Sequence, residues 1–195
     1  MSKIEITKAV EALSEGKLVV YPTDTLYGLG ADMFNDSAIK KVFIIKNRPK
    51  SNPLSVAVAD FPSLQKIAYT NKITKKLVEN LLPGKLTIIL NKKNTVSSLV
   101  TGGLDKIAIR IPDNEIALEL VKKFGPITAT SANIHGQKTP GIINDINMQF
   151  KDKVEVYIDD GPIEGKPSTI VDASSNNLKI IRQGAINQDK ILSCI

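Results

Sequence analysis

The 195-residue chain is 42% apolar with a formal net charge of +6, which fits one large domain, residues 1–195, with a true core and anionic partners such as nucleotides, phosphates or nucleic acid. No apolar run approaches the ~20 residues of a membrane span, and the opening M-S-K-I-E-I-T lacks the apolar segment of a secretory signal. One cysteine, Cys194, and one histidine, His135, exclude an internal disulfide and Cys- or His-cluster metal sites, so a reducing, cytoplasmic setting without a tightly bound protein-ligated metal is expected.

Ile6, Val10 and Leu13 recur at helical spacing and Gly16 suits a C′ position, so the chain opens with a helix. Leu18 to Tyr21 is a buried-type strand, broken by Pro22. Asn35 or Asp36 caps a second helix with Ile39, Val42 and Phe43 on one face, ending at Asn47 before Arg48-Pro49. Leu54 to Ala59 reads as a strand. Ile73, Leu77, Val78 and Leu81 mark a helix stopped by Pro83-Gly84, and Leu86 to Leu90 a third strand. After a loop, Lys106 to Ile111 alternates, with isoleucines on one face and Arg110 on the other. A helix capped at Asp113 or Asn114 runs to Gly125-Pro126, and Ile127 to Thr130 leads into Ser131-Ala132-Asn133. Residues 134–147 are irregular. Val154 to Ile158, Thr169 to Val171 and Leu178 to Arg182 are short strands, and Asp189 to Leu192 closes with a helical turn. Strands alternating with helices early, then strands alone, indicate α/β with a mixed sheet.

The chemistry sits at strand ends and turns. Thr23, Asp24 and Thr25 follow a strand, where open α/β sheets place ligands. Lys46 and Arg48 lie two apart on a turn stiffened by Pro49 and Pro53. Such a pair suits a phosphate clamp, Arg as a planar fork and Lys as a point charge; a solvated basic turn is the alternative. Neither a phosphate-binding G-x-x-x-x-G-K-[ST] loop nor a complete dinucleotide fingerprint is present, so side chains must hold any nucleotide. Lys46, Arg48 and Arg182 are the cations available, and Asn52, Ser131, Asn133 and Thr139 are short polar groups on loops. Arg110, on a strand among apolar neighbours, needs either an internal carboxylate or a ligand anion, because an unpaired buried guanidinium is costly.

Y-P-T-D-T-L-Y-G-L-G at 21–30 and K-N-R-P-K-S-N-P-L at 46–54, followed by S-A-N, P-S-T-I-V-D and I-I-R-Q-G, resemble the YrdC family, which includes the threonylcarbamoyl-AMP synthases. The resemblance implies a single domain with one large twisted mixed sheet, helices packed on it and a concave basic cavity. It implies a nucleotidyltransferase that makes L-threonylcarbamoyladenylate and pyrophosphate from L-threonine, bicarbonate and ATP with Mg²⁺, for tRNA threonylcarbamoyladenosine. By the same resemblance Lys46 and Arg48 are catalytic. With Asn52, Ser131, Asn133, Thr139 and Arg182 they bind ATP, while Thr25, Arg110 and Ser168 bind threonine. Downstream threonylcarbamoyl-transfer proteins are the implied partners, and RNA a further candidate. His135 reads as a rim residue. No general base stands out, and Asp24 is a weak candidate. Some relatives carry a threonine-contacting histidine where this chain has Ala57, so the amino-acid end should differ in detail.

Two rivals remain. A non-catalytic RNA-binding module of the same fold would suit the charge, but 5% aromatic residues and no Trp leave few stacking platforms. A carbamoyl-AMP-forming module like that of hydrogenase maturation proteins belongs to longer chains with zinc-binding and acylphosphatase parts.

Overall fold

Side-chain caps start most of the helices. In the computed structural model, which describes residues 2–195, Asn35 accepts the Ser37 and Ala38 amides at the start of α2 (Asp36–Lys46). Asn71 forms a capping box with Thr74 on α4 (Lys72–Leu81), and Asn114 caps α5 (Glu115–Phe124). Each cap satisfies first-turn donors that otherwise have no partner. The N-terminal helix α1 (Ser2–Ser14) and the short closing helix α7 (Gln188–Leu192) match expectation.

Two further helices do not show in the sequence pattern. Helix α3 (Phe61–Ile67), capped by Asp60, has only seven residues, too few for its periodicity to stand out. Helix α6 (Ile143–Phe150) lies largely in the stretch expected to be irregular, and its N-cap, Ile142, makes no side-chain cap. The usual start signal is absent from the sequence.

The strands are β1 (Val19–Tyr21), β2 (Gly28–Gly30), β3 (Ser55–Ala57), β4 (Leu86–Asn91) and β5 (Lys106–Arg110), then β6 (Ile127–Thr128), β7 (Thr130–Ser131), β8 (Val156–Tyr157), β9 (Thr169–Asp172) and β10 (Lys179–Arg182). They form two mixed sheets, ordered β7-β2-β1-β8 and β10-β9-β4-β5-β3-β6. The expected single large sheet is therefore two. The stretch read as one strand, Ile127 to Thr130, is the crossing point. Its first half pairs with β3 and its second with β2, and between them the Ala129 amide donates to the Ser55 carbonyl at 2.7 Å. An isolated bridge, Asp32–Ile127, joins the sheets again. Strand β2 does not show in the sequence pattern; its two glycines are unfavourable in a strand interior. Here the lack of a side chain is required: a Cβ on Gly30 would lie 2.9 Å from Val19 Cγ2 and 3.1 Å from Tyr21 Cε1.

Two apolar clusters hold the fold. The larger takes Ile88, Ile107 and Ile109 of the six-stranded sheet with α2, α3 and α4; the smaller joins α1 and α5 to Val19, Tyr21 and Ile127. Register then fixes the opposite face of the six-stranded sheet. Ser55 pairs with Ala108, Ala57 with Arg110, Ile89 with Ala108 and Thr87 with Ile170. Strand alternation sends this set away from the isoleucine core.

Candidate functional site

That face is the floor of a cavity of about 420 Å³, with Ser55, Thr87, Ile89, Ala108, Arg110 and Ile170 lining it. The walls are loops: Thr23 to Gly28 after β1, Arg48 and Pro53 after α2, Ser131 and Thr139, Pro167 and Ser168, and Ile181 with Arg182. The chain has three arginines, and all three line this one cavity; among the described residues no Asp or Glu does. Burial lowers the pKa of Arg48, and burial followed by the neighbouring charge of Arg110 lowers that of Arg182. Converging guanidinium groups without lining carboxylates make an anion receptor.

Arg110 already has a partner. Its Nη2 donates to Asp24 Oδ1, its Nη1 donates to Thr25 Oγ1 at 2.9 Å, and the ion-paired side chains are only 7% and 5% exposed. Of the two expected alternatives, the internal carboxylate is the one present, and Asp24 is thereby occupied as a counter-ion rather than free as a base. The pairing is incomplete: Arg110 Nε and Asp24 Oδ2 are buried without a partner.

Lys46 departs most from expectation, fitting neither the phosphate clamp nor the solvated basic turn. It is 1% exposed and is not among the lining residues. Its Nζ donates to the Ser131 carbonyl and, at 2.7 Å, to the Asn133 carbonyl, while its own carbonyl accepts the His135 amide at 2.7 Å. The C-terminus of α2 is thus stapled to the S-A-N turn from below. Burial, reinforced by the positive charge of Arg48, brings the Lys46 pKa down to about 7 from an ordinary 10.5. Between those two pH values the unfolded chain binds more protons than the folded one, so stability should rise as pH goes from about 7 toward 10.5. Melting curves of wild type and Lys46→Met across that range should show this rise, with the slope reduced in the variant; parallel curves would sink the assignment.

Arg48 is fixed by its own loop, donating from Nε to the Asn52 carbonyl at 3.2 Å and from Nη2 to the Pro53 carbonyl at 2.9 Å. His135 sits at the rim as expected, its Nδ1 3.4 Å from Arg48 Nη1. Asn52 and Asn133 support the site rather than line it. Asn52 contributes its carbonyl to Arg48, whereas Asn133 is buried, accepts from Ser131 and Thr139, and donates to the Ile134 and Gln137 carbonyls. Ser131, Thr139, Thr25, Ser168 and Arg182 line the cavity as the sequence suggested. Arg182 Nη2 donates to the Ser168 carbonyl at 2.8 Å. Ala57 is buried beside Arg110 by register without lining the cavity.

Several lining residues escaped the sequence reading. Thr87 is one, 2.8 Å from Ser168 through their hydroxyls, whereas Thr23, expected near the site, lies 3.1 Å from Thr25 in the same way. The signal for Thr87 was available: it is the polar alternate in L-T-I-I-L, as Ser55 is in L-S-V-A-V. The Tyr27 hydroxyl donates to the Gly161 carbonyl at 2.7 Å and accepts the Asp160 amide at 3.0 Å, anchoring the segment that leads to Ser168. Within that segment a Cβ on Gly165 would sit 2.2 Å from the Thr25 carbonyl oxygen, so only glycine permits this approach.

Comparison with known proteins places these features in context. A family model named for Sua5, YciO and YrdC and described as "Telomere recombination" matches residues 11–184. A Methanocaldococcus jannaschii protein, provisionally named a threonylcarbamoyl-AMP synthase, is 40% identical across all of this chain and 94% of its own length. A Pyrococcus abyssi threonylcarbamoyl-AMP synthase is 37% identical over 96% of this chain, which spans only 56% of that relative. The crystal structure of P. abyssi Sua5 with L-threonine superposes with a TM-score of 0.94 over 97% of this chain and 57% of that one, at 37% identity. Escherichia coli YciO superposes at 0.88 with 25% identity, over 98% and 94% of the two chains.

Proposed function

The chain belongs to the Sua5/YciO/YrdC family, and from that premise we propose that it is a threonylcarbamoyl-AMP synthase acting in tRNA modification. The threonine amine and bicarbonate condense to a carbamate with loss of water. A carbamate oxygen then attacks the α-phosphorus of ATP, supplied as its Mg²⁺ complex, and pyrophosphate leaves. The protein is thus a nucleotidyltransferase. The observation that carries this reading is the gathering of all three arginines around one cavity without a lining carboxylate.

The three arginines divide the work. Arg48 and Arg182 face the triphosphate and neutralise charge as it develops on the leaving pyrophosphate. Arg110 takes the threonine carboxylate, with Thr25 and Ser168 as hydroxyl partners, and holds the amino acid for an in-line approach. Ser131 and Thr139 offer hydroxyls to the nucleotide. Lys46 and Asn133 act from beneath through the turn they hold, and Asn52 through Arg48. Mg²⁺ would arrive with ATP as part of the nucleotide complex. Among the described residues no helix is long and apolar enough to cross a membrane; the working site of such an enzyme is the cytoplasm, where the labile adenylate passes to threonylcarbamoyl-transfer proteins.

The test is pyrophosphate release from ATP, Mg²⁺ and bicarbonate with L-threonine, without it, and with serine in its place. Release requiring both threonine and bicarbonate is expected, and the serine arm reads the selectivity left with Ala57 in place of histidine. A purified, folded protein that releases none, yet binds RNA with a salt slope that falls on Arg48→Ala, would favour the non-catalytic RNA-binding reading.

A further inference from the structure

On the assignment of the Arg110 end of the cavity to threonine, we infer that Thr87 is a positioning residue there: it fixes the Ser168 hydroxyl so that the two together offer one free O–H to the threonine carboxylate. Register puts Thr87 in place. Ile88 pairs with Ile109 and Ile89 with Ala108 across the antiparallel β4–β5 ladder, and one further step along that ladder sets Thr87 opposite Arg110. Alternation turns both toward the cavity, and both line it together with Ser168. Residues opposite one another on an antiparallel pair hold their Cβ atoms about 5 Å apart. An amino-acid carboxylate drawn to Arg110 therefore enters the end of the cavity where Thr87 and Ser168 meet.

Proton accounting shows what the pair can offer. Two hydroxyls carry two protons, and the 2.8 Å hydrogen bond between Thr87 Oγ1 and Ser168 Oγ uses one. Among the described residues neither oxygen has another partner. Whichever oxygen donates within the pair, the other keeps an O–H for the cavity, and an anionic oxygen is its strongest acceptor. The neighbouring hydroxyls have spent theirs. Ser55 donates to the Ala129 carbonyl at 2.9 Å. Thr23 donates to the Leu26 carbonyl at 2.6 Å, so Thr25, which accepts from Arg110, must be the donor to Thr23 and meets a ligand as an acceptor. Thr87 is the stiff member of its pair, being β-branched on a strand with partners on both sides. Ser168 is unbranched and precedes β9, so its hydroxyl needs a partner to select one rotamer.

Steady-state pyrophosphate release, with threonine and ATP varied in turn, tests this. Thr87→Val keeps the branched shape and removes the hydroxyl. It should raise the apparent KM for L-threonine about tenfold, while kcat and the KM for ATP change less than about twofold. Thr87→Ser restores a hydroxyl and should stay within about threefold of wild type. Because Thr87 acts through Ser168, adding Thr87→Val to Ser168→Ala should raise the threonine value less than about twofold further. Thr87→Ala, which sets no methyl against Ser168 Oγ, is read in the same way should Thr87→Val fail to fold. An unchanged threonine KM, equal rises for threonine and ATP, full additivity with Ser168→Ala, or a Thr87→Ser enzyme as impaired as Thr87→Val would each overturn the inference. Wild type that releases no pyrophosphate with threonine would instead bring down the synthase reading, and this inference with it.

Discussion

Arg110→Ala should cost about 3–5 kcal/mol of stability, because it strands the Asp24 carboxylate in a site where it is 5% exposed. For a chain of this length that corresponds to a melting temperature lower by roughly 10 °C. In whatever fraction stays folded, the apparent Michaelis constant for threonine should rise far more than that for ATP, since the amino-acid carboxylate loses its fork. The two effects separate in a double variant. Asp24→Asn combined with Arg110→Ala removes both charges and should recover much of the lost stability without recovering threonine binding. Thermal melts and steady-state kinetics on the single and double variants would settle it. Equal rises in the two Michaelis constants would reduce Arg110 to a structural role, and a double variant no more stable than Arg110→Ala would remove the buried-charge argument.

Arg48→Ala carries the second large effect, of the opposite kind: turnover should fall by about 10²–10³-fold while the fold survives. The guanidinium is half-buried and bonds loop carbonyls of Asn52 and Pro53, groups that water can satisfy when it is removed, so the stability cost should stay near 1 kcal/mol. Arg48→Lys keeps the charge but loses the planar fork and should recover only part of the activity. Pyrophosphate release beside a melting curve reads both quantities at once. An active Arg48→Ala enzyme would mean that phosphate charge is met elsewhere, with Arg182 the remaining guanidinium at that end.

The arrangement explains how catalysis can proceed without a prominent acid or base. Carbamate formation needs the amine and bicarbonate brought together, and adenylation needs a carbamate oxygen aligned with phosphorus; both are mainly problems of position and charge. The rigid pieces are short. Ser55, Ala108 and Arg110 are locked by register, Arg48 by two loop carbonyls, and the S-A-N turn by Lys46 Nζ. The second cavity, about 350 Å³ between Lys17, Ile44 and Lys153, has no comparable convergence of arginines.

Much of the architecture is legible in the amino-acid order alone. Apolar periodicity placed α1, α2, α4 and α5, helped by candidate caps at α2 and α5 and by Gly or Pro-Gly stops at the other two. The alternation of Lys106 to Ile111 correctly turned Arg110 away from the isoleucine core. Thr25, Arg48, Ser131, Thr139, Ser168 and Arg182, singled out by their motifs together with the family resemblance, line one cavity. The remaining features depend on contacts between residues far apart in the chain. Asp24 and Arg110 lie 86 residues apart, so no local pattern could show which of the two open partners for the guanidinium was present. Lys46 is adjacent in sequence to an exposed turn, yet helix geometry and the distant carbonyls of Ser131 and Asn133 bury it. The division into two sheets depends on Ala129 bonding to Ser55 across the fold, a long-range choice that strand propensity does not encode.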